Sequence, residues 1–329
     1  MAHHDQQPPR SARPDRPAAA VVVAARNAAA TIAACVRSLG RLEYPGVEVI
    51  VVDDGSEDQT GPIAAAAGAR VIRRAAPEGP SAARNAAVGA TEAAIVAFTD
   101  ADCTVDSAWL ARLVDGLTDS GAAGAGGRQV NVFAGDRADE ARSFDAFFTV
   151  AGVVSAYTRS DGVARFVNHV ASCSSAYTRD AFLSVGGFSE DLFPGEDVDL
   201  DLRLRRAGHR CYYVPTAIVY HQRPGTRLWF ARMMRRYGRA ERELVRRHGR
   251  FRFLHYVPVL LGLWIAAHAL LTVPAMRPVI VGTDVAAGLL GLILLARGAP
   301  VSRWPAVIQY AVIAMVAWHR GWFSTKVAS

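Results

Sequence analysis

Four short apolar runs, Ala20–Ala25 (AVVVAA), Val47–Val52 (VEVIVV), Ala69–Ile72 and Ala94–Thr99 (AIVAFT), are separated by stretches with helical spacing. Runs of this length without apolar–polar alternation are what a sheet covered on both faces demands. Repeated strand, helix and strand units therefore predict an α/β fold with a doubly wound, mostly parallel sheet. The intervening helices are expected over Ala28–Leu39, from DDGS through Ala67, and over Ser81–Gly89. Beyond Gly121 the rhythm loosens. Strands are expected at Arg128–Phe133, Ser172–Tyr177, Arg210–Val214 and Ala217–Tyr220. Helices are expected at Asp139–Tyr157, Arg179–Val185 and from Gly195 to about Ala207.

The 329 residues, 51% of them hydrophobic, exclude a disordered protein and a disulfide-stapled mini-protein. Cys35, Cys103, Cys173 and Cys211 lie far apart, without the spacing of a zinc site, and read as reduced thiols in a cytoplasmic setting. Residues 1–18 are rich in Pro, Arg, Gln and His and read as a disordered lead without the apolar core of a signal peptide.

The net charge of +7 is local in origin. Residues 223–252 hold eleven arginines against Glu241 and Glu243, leaving the remainder near neutral. This basic block, read as an amphipathic interfacial helix, directly precedes the most apolar third of the chain. Phe253–Val273 runs for 21 residues without Asp, Glu, Lys or Arg, long enough to cross a bilayer. Val279–Ala296, weakened by Asp284, and the shorter Trp304–Trp318 follow it. With Trp264, Trp304, Trp318 and Trp322 as interface aromatics, residues 253–323 are expected to form two or three transmembrane helices. The Arg-rich side and the α/β domain would face the cytoplasm at the inner membrane. Membrane lipids, and not nucleic acid, are the expected partner of the basic block.

Three acidic clusters carry the candidate chemistry. Asp53 and Asp54 end the second strand, and Asp100 and Asp102 end the fourth. Ligands of open α/β sheets bind outside the carboxyl ends of strands, so both pairs belong to one crevice. Asp100 and Asp102, two apart on an extended segment, project to one side. Their hard oxygens suit Mg2+ or Mn2+, which would bridge a pyrophosphate. Asp54-Gly55-Ser56 is first of all a turn signal, although an Asp at that strand end can also accept a hydrogen bond from a base. Glu196-Asp197, followed by Asp199 and Asp201, opens a helix carrying Arg203, Arg205 and Arg206. Helix-end complementarity and i, i+4 pairs explain part of that pattern, and an Asp near the crevice can serve as general base.

The segments VVVAARNAAATIAACVRSL, VEVIVVDDGSEDQT, GPSAARNAAV, VAFTDADC and GGFSEDLFPGEDVDLDLRLRRAG occur in order between Ala20 and His221. In this the chain resembles the family 2 glycosyltransferases of the GT-A fold, which move a sugar from a nucleotide-sugar donor, and its tail resembles that of membrane-bound members. The resemblance implies that Ala24 and Arg26 border the nucleotide base, that Asp54 and Asp53 contact it, and that Arg84 lies near the nucleotide. It makes Asp100-Ala101-Asp102 the DxD motif, with Asp102 the direct metal ligand and Asp100 nearer the ribose or metal. It makes Glu196-Asp197 the ED motif, with Asp197 the catalytic base, and brings His221 towards the diphosphate or metal. The processive signature QxxRW is absent, because Gln222 is followed by Arg227 and Trp229 at longer spacing.

The expected reaction is an inverting, metal-dependent transfer of one sugar, UDP-linked by family frequency, to a lipid-linked or membrane-presented hydroxyl. The alternatives are a non-catalytic nucleotide-sugar-binding subunit of a membrane complex, a processive polysaccharide synthase and a nucleotidyltransferase.

Overall fold

A computed structural model describes residues 16–133, 162–268, 271, 273–285, 288 and 301–324. The chain divides into two compact units, one containing residues up to 132 and 156–222, the other residues 133–155 and those from 223 onward. The helix expected at Asp139–Tyr157 lies outside the described residues, as do residues 1–15 of the expected lead. Arg16 to Ala18 are ordered, contrary to the expectation of disorder through 18. Arg16 makes a two-pronged ion pair with Asp115, and Tyr44 donates its hydroxyl hydrogen to the Pro17 carbonyl.

In the first unit, β1 (Ala19–Ala25), α1 (Ile32–Leu39), β2 (Glu48–Asp53), α2 (Thr60–Ala66), β3 (Arg70–Arg73), α3 (Pro80–Gly89) and β4 (Ile95–Asp100) alternate as the apolar runs require. Side chains of β1 go alternately to the two faces. Val21 and Val23 pack with Ile32, Val36 and Leu39 of α1, while Ala20 and Val22 pack with Ala83, Ala87 and Val88 of α3. Two buried faces explain why β1 is apolar at every position.

The sheet order is β3-β2-β1-β4-β8-β6-β9-β5, with β7 (Arg165–Val167) pairing β9. Here β5 is Cys103–Val105, β6 Gly124–Phe133, β8 Ser174–Thr178 and β9 Cys211–Arg223. β3, β2, β1 and β4 run parallel. The pairs β4–β8, β6–β8, β5–β9 and β7–β9 are antiparallel, so the sheet is mixed and not mostly parallel. The chain leaves β1 towards β2 on one side and returns to β4 on the other. The strand ends at Ala25 and Asp100 therefore flank a switch point, where a crevice opens. Helices α4 (Trp109–Ser120), α5 (Arg179–Ser184) and α6 (Glu196–Arg206) complete the unit.

The two strands expected at 210–214 and 217–220 are one, β9. Pro215 lies between the residues that pair with β7 and those that pair with β5, so its missing N–H falls between the two ladders.

In the second unit, α7 (Arg227–His248) packs on α9 (Trp304–Trp322). Phe230 and Met234 meet Val307, Tyr310, Ala314 and Trp318. The expectation of transmembrane helices is not met: among the described residues no helix is long and apolar enough to cross a membrane. Phe253–Val273 is divided into a 3-10 turn at Phe253–Tyr256 and the 12-residue α8 (Val257–His268). Val279–Ala296 falls partly outside the described residues. In α9 a stripe of Val307, Tyr310, Ala314, Trp318 and Gly321 is buried.

Candidate active site

The crevice edge is assembled from loops that follow strands. After β1 the chain turns at Asn27, whose φ is +50°. Asn27 N–H donates to Ser56 Oγ at 3.0 Å, Ala28 N–H to Thr60 Oγ1 at 2.7 Å and Ala29 N–H to Asp58 Oδ2 at 3.1 Å. The exit of β1 is thereby stitched to the loop after β2. Ala24 is half-buried at this edge, and Arg26 is exposed.

Asp53 and Asp54, expected at the nucleotide base, both hold loops. The buried Asp53 accepts from Ser56 N–H at 3.0 Å and pairs with Arg73 Nη1 at 2.7 Å. Asp54 accepts from the Glu78 and Gly79 N–H groups at 3.0 and 2.8 Å, fixing the entry to α3. That entry aims Arg84, one turn along α3, into the unit.

Arg84 is 3% exposed and is the hub of the site. Its Nη2 donates to Asp100 Oδ1 and its Nη1 to Glu196 Oε1, both at 2.8 Å. The end of β4 and the start of α6 are thus joined through one guanidinium, which also lies over the Phe188 ring. The ion pairs raise the Arg84 pKa against the opposing effect of burial. Glu196 is pushed up to about 7 by burial, with the charge of Asp197 adding and Arg84 opposing. Gly195 precedes it with φ +103°, a conformation that favours glycine and turns the chain sharply into α6.

The other half of the site follows from strand register. After Asp100-Ala101-Asp102 the chain enters β5 at once, and Cys103 pairs directly with His221 on β9. Gln222 N–H donates to the Asp102 carbonyl at 2.9 Å. This register sets His221 Nε2 3.1 Å from Asp102 Oδ1. Ligand atoms of Asp100, Asp102, Cys103 and His221 all lie within 4.8 Å of one another. The residues fit a divalent cation: two carboxylates and a buried imidazole converge, and His221 Nδ1 is buried with no hydrogen-bond partner among the described residues. Cys103 is the odd member, because burial pushes its thiol pKa well up and keeps it protonated.

Asp197 stands next to Glu196 in the first turn of α6, with its side chain 19% exposed. Its Oδ1 accepts from Val198 N–H at 2.8 Å and its Oδ2 from Ser172 N–H at 3.3 Å. Asp100, Arg84, Glu196 and Asp197 therefore form one continuous polar chain, with Asp102 and His221 at its far end. Ala101 is buried between the two DxD carboxylates. Sequence reasoning missed His169, whose ring lies between Asp197 and Asp201. It sits in a segment without periodicity, so no pattern in the sequence could have singled it out.

Known proteins resemble the chain in sequence and in fold. A family profile described as "Glycosyl transferase family 2" matches residues 20–184. The chain is 35% identical over 222 residues to a pre-mycofactocin glycosyltransferase of Mycobacterium tuberculosis, covering 64% of this chain and 44% of that protein. It is 29% identical over 212 residues to glycosyltransferase AglE of Haloferax volcanii, covering 62% and 67%. The mannosyltransferase PcManGT from Pyrobaculum calidifontis, solved with GDP-Man and Mn2+, shares the fold at a TM-score of 0.63 and 20% identity, over 95% of this chain and 89% of that one. The profile match spans β1 to α5, the stretch that contributes Arg84 and the DxD carboxylates. On that ground the chain belongs to glycosyl transferase family 2.

Proposed function

We propose that the chain is an inverting glycosyltransferase, moving one sugar from a nucleoside diphosphate sugar to a hydroxyl of a lipid-linked or membrane-presented acceptor. The observation that carries this reading is the double grip of Arg84 on Asp100 and Glu196. It links the end of the site suited to a diphosphate with the end that carries a base.

Asp197 is the base. A carboxylate oxygen takes the proton of the acceptor hydroxyl as that oxygen attacks the anomeric carbon. The bond from that carbon to the diphosphate breaks, and its electron pair leaves with the nucleoside diphosphate. With one base and no protein nucleophile, configuration at the anomeric carbon inverts. Asp102, Asp100 and His221 would hold Mn2+ or Mg2+, which when bound supplies positive charge for the departing diphosphate. Arg84 fixes the Asp100 carboxylate at one end and the α6 entry at the other, so that the base and the diphosphate end keep their spacing. Arg26, exposed at the β1 exit, and the Asp54-anchored loop border the nucleotide.

The second unit supports a bilayer as the place where the acceptor is met. Arg227, Arg232, Arg235, Arg236 and Arg242 of α7 are exposed. Leu260, Leu263 and Trp264 of α8 and Ile308, Val312 and Met315 of α9 are exposed apolar residues. Cations beside apolar side chains suit attachment to an anionic membrane surface, such as the cytoplasmic leaflet.

The test uses the full chain in detergent with UDP-, GDP- and dTDP-sugars, scoring released nucleoside diphosphate. The GDP arm is included because PcManGT was solved with GDP-Man. One donor is expected to give release that depends on Mn2+ or Mg2+. Asp197→Asn is expected to cut it by about a hundredfold or more with donor affinity retained. Release of pyrophosphate in place of nucleoside diphosphate, or an Asp197→Asn variant as fast as wild type, overturns the reading.

A further inference from the structure

Asp197 and Asp201 lie one turn apart on the same face of α6, where two carboxylates repel. The segment 168–172 runs along that face and meets both. Val170 N–H donates to Asp201 Oδ2 at 2.7 Å, and Ser172 N–H to Asp197 Oδ2 at 3.3 Å. Between these two contacts stands the His169 ring. Its Nδ1 is 2.8 Å from Asp201 Oδ2, and its Nε2 faces Asp197 Oδ2 at 3.9 Å.

The far side of Asp201 is closed off. The carboxylate is 0% exposed, and its Oδ1 accepts from the Tyr177 hydroxyl at 3.0 Å and faces the Cys211 thiol at 3.5 Å. The ring of His169 is therefore gripped from a rigid, fully buried anchor. Arg205, a turn further along α6, holds the neighbouring Asn168 side chain at 3.2 Å. Asp197 and Asp201 both face the imidazole, with Tyr177 and Cys211 standing behind Asp201.

We infer that His169 is a positioning residue for the base: anchored by Asp201, it holds the orientation of the Asp197 carboxylate. This role rests on the base assignment made above for Asp197. A contact of 3.9 Å is too long for a hydrogen bond, so the link from Nε2 to Asp197 is electrostatic and steric. Without the ring, the Asp197 carboxylate keeps its backbone N–H contacts to Val198 and Ser172 and loses the imidazole that stands beside Oδ2.

The test compares wild type and His169→Gln as full chains in detergent, with the donor that wild type uses. The kcat and donor KM of nucleoside diphosphate release are measured, and donor affinity by titration calorimetry. Expected for His169→Gln are a kcat lowered roughly tenfold and a donor KM within about twofold of wild type. Asp201→Asn, which weakens the anchor and leaves the ring in place, is expected to lower kcat less than His169→Gln does, again with donor KM near wild type. A His169→Gln variant with the wild-type kcat overturns the role and leaves the function standing. Loss of donor affinity in step with kcat also overturns it, marking His169 as a folding residue only. Wild-type protein that releases no nucleoside diphosphate from any donor removes the function and this role together.

Discussion

At the residue scale, the site depends on how few charges compensate one another in a buried place. Arg84 serves two carboxylates with a single positive charge, and Glu196 is almost wholly removed from water. Burial, with the Asp197 charge adding, raises Glu196 to about 7, so the folded chain holds a proton there that the unfolded chain gives up near 4.5. The contribution of this group to stability is therefore fully present below the unfolded value and is lost as pH rises towards 7. Glu196→Gln removes that dependence. In thermal melts of the full chain, its Tm relative to wild type is expected to improve between pH 5 and pH 8. A constant difference across that range would show that Glu196 stays ionised throughout. The residue types were readable in the sequence, since strand ends collect ligands and two carboxylates at i, i+2 share a side. The pairing was not. Asp53 and Asp54 stand at the expected edge, yet their carboxylates hold Arg73 and the loop into α3. A turn signal and a ligand contact look the same in one sequence. His169 carries no local signal at all, because its partners lie 28 and 32 positions away on α6.

At the element scale, the parallel half of the sheet was legible because double-sided burial writes itself as continuous apolar runs. The antiparallel half was harder to read. β5 spans only three residues, Cys103–Val105, too short for any periodicity, yet its register with β9 is what carries His221 to Asp102. The helical tail posed the opposite problem: its apolar runs suggested spans, whereas α8 and α9 are shorter or one-sided. Their packing depends on α7 approaching α9 at two glycines. A Cβ placed on Gly238 would overlap the Trp318 carbonyl, and one on Gly321 would overlap the Arg235 carbonyl. Neither neighbour can yield, because both are helix backbone. Gly321→Val is accordingly expected to destabilise this unit by about 1–3 kcal/mol or more. Five of the six tryptophans lie in the second unit, so its loosening reads out in the urea midpoint followed by tryptophan fluorescence. An unchanged midpoint would mean that the two helices are not held at that distance.

At the scale of the whole molecule, the uneven distribution of charge matters more than its total. A net +7 arises because one helix and its flanks concentrate arginine, while the remainder is near neutral. Within α7 the charges are partly internal. Glu243 is lowered to about 2 by Arg246 and Arg247, and buried Glu241 is paired with Arg252 and His255. Exposed arginines at 227, 232, 235 and 236 belong to the N-terminal half of the helix, away from those acids. Attractions between exposed charges weaken with salt, whereas apolar insertion does not. If the second unit meets a bilayer through both, vesicles containing phosphatidylglycerol should retain the chain, and neutral phosphatidylcholine vesicles should retain much less. Raising salt from 0.1 to 1 M should release part of the bound protein. The triple change Arg232→Gln, Arg235→Gln and Arg236→Gln should reproduce the salt effect at low salt, with nucleoside diphosphate release on a soluble acceptor unchanged. Equal retention on neutral and anionic vesicles would assign attachment to the exposed apolar residues of α8 and α9 alone, and the arginines would then need another anionic partner.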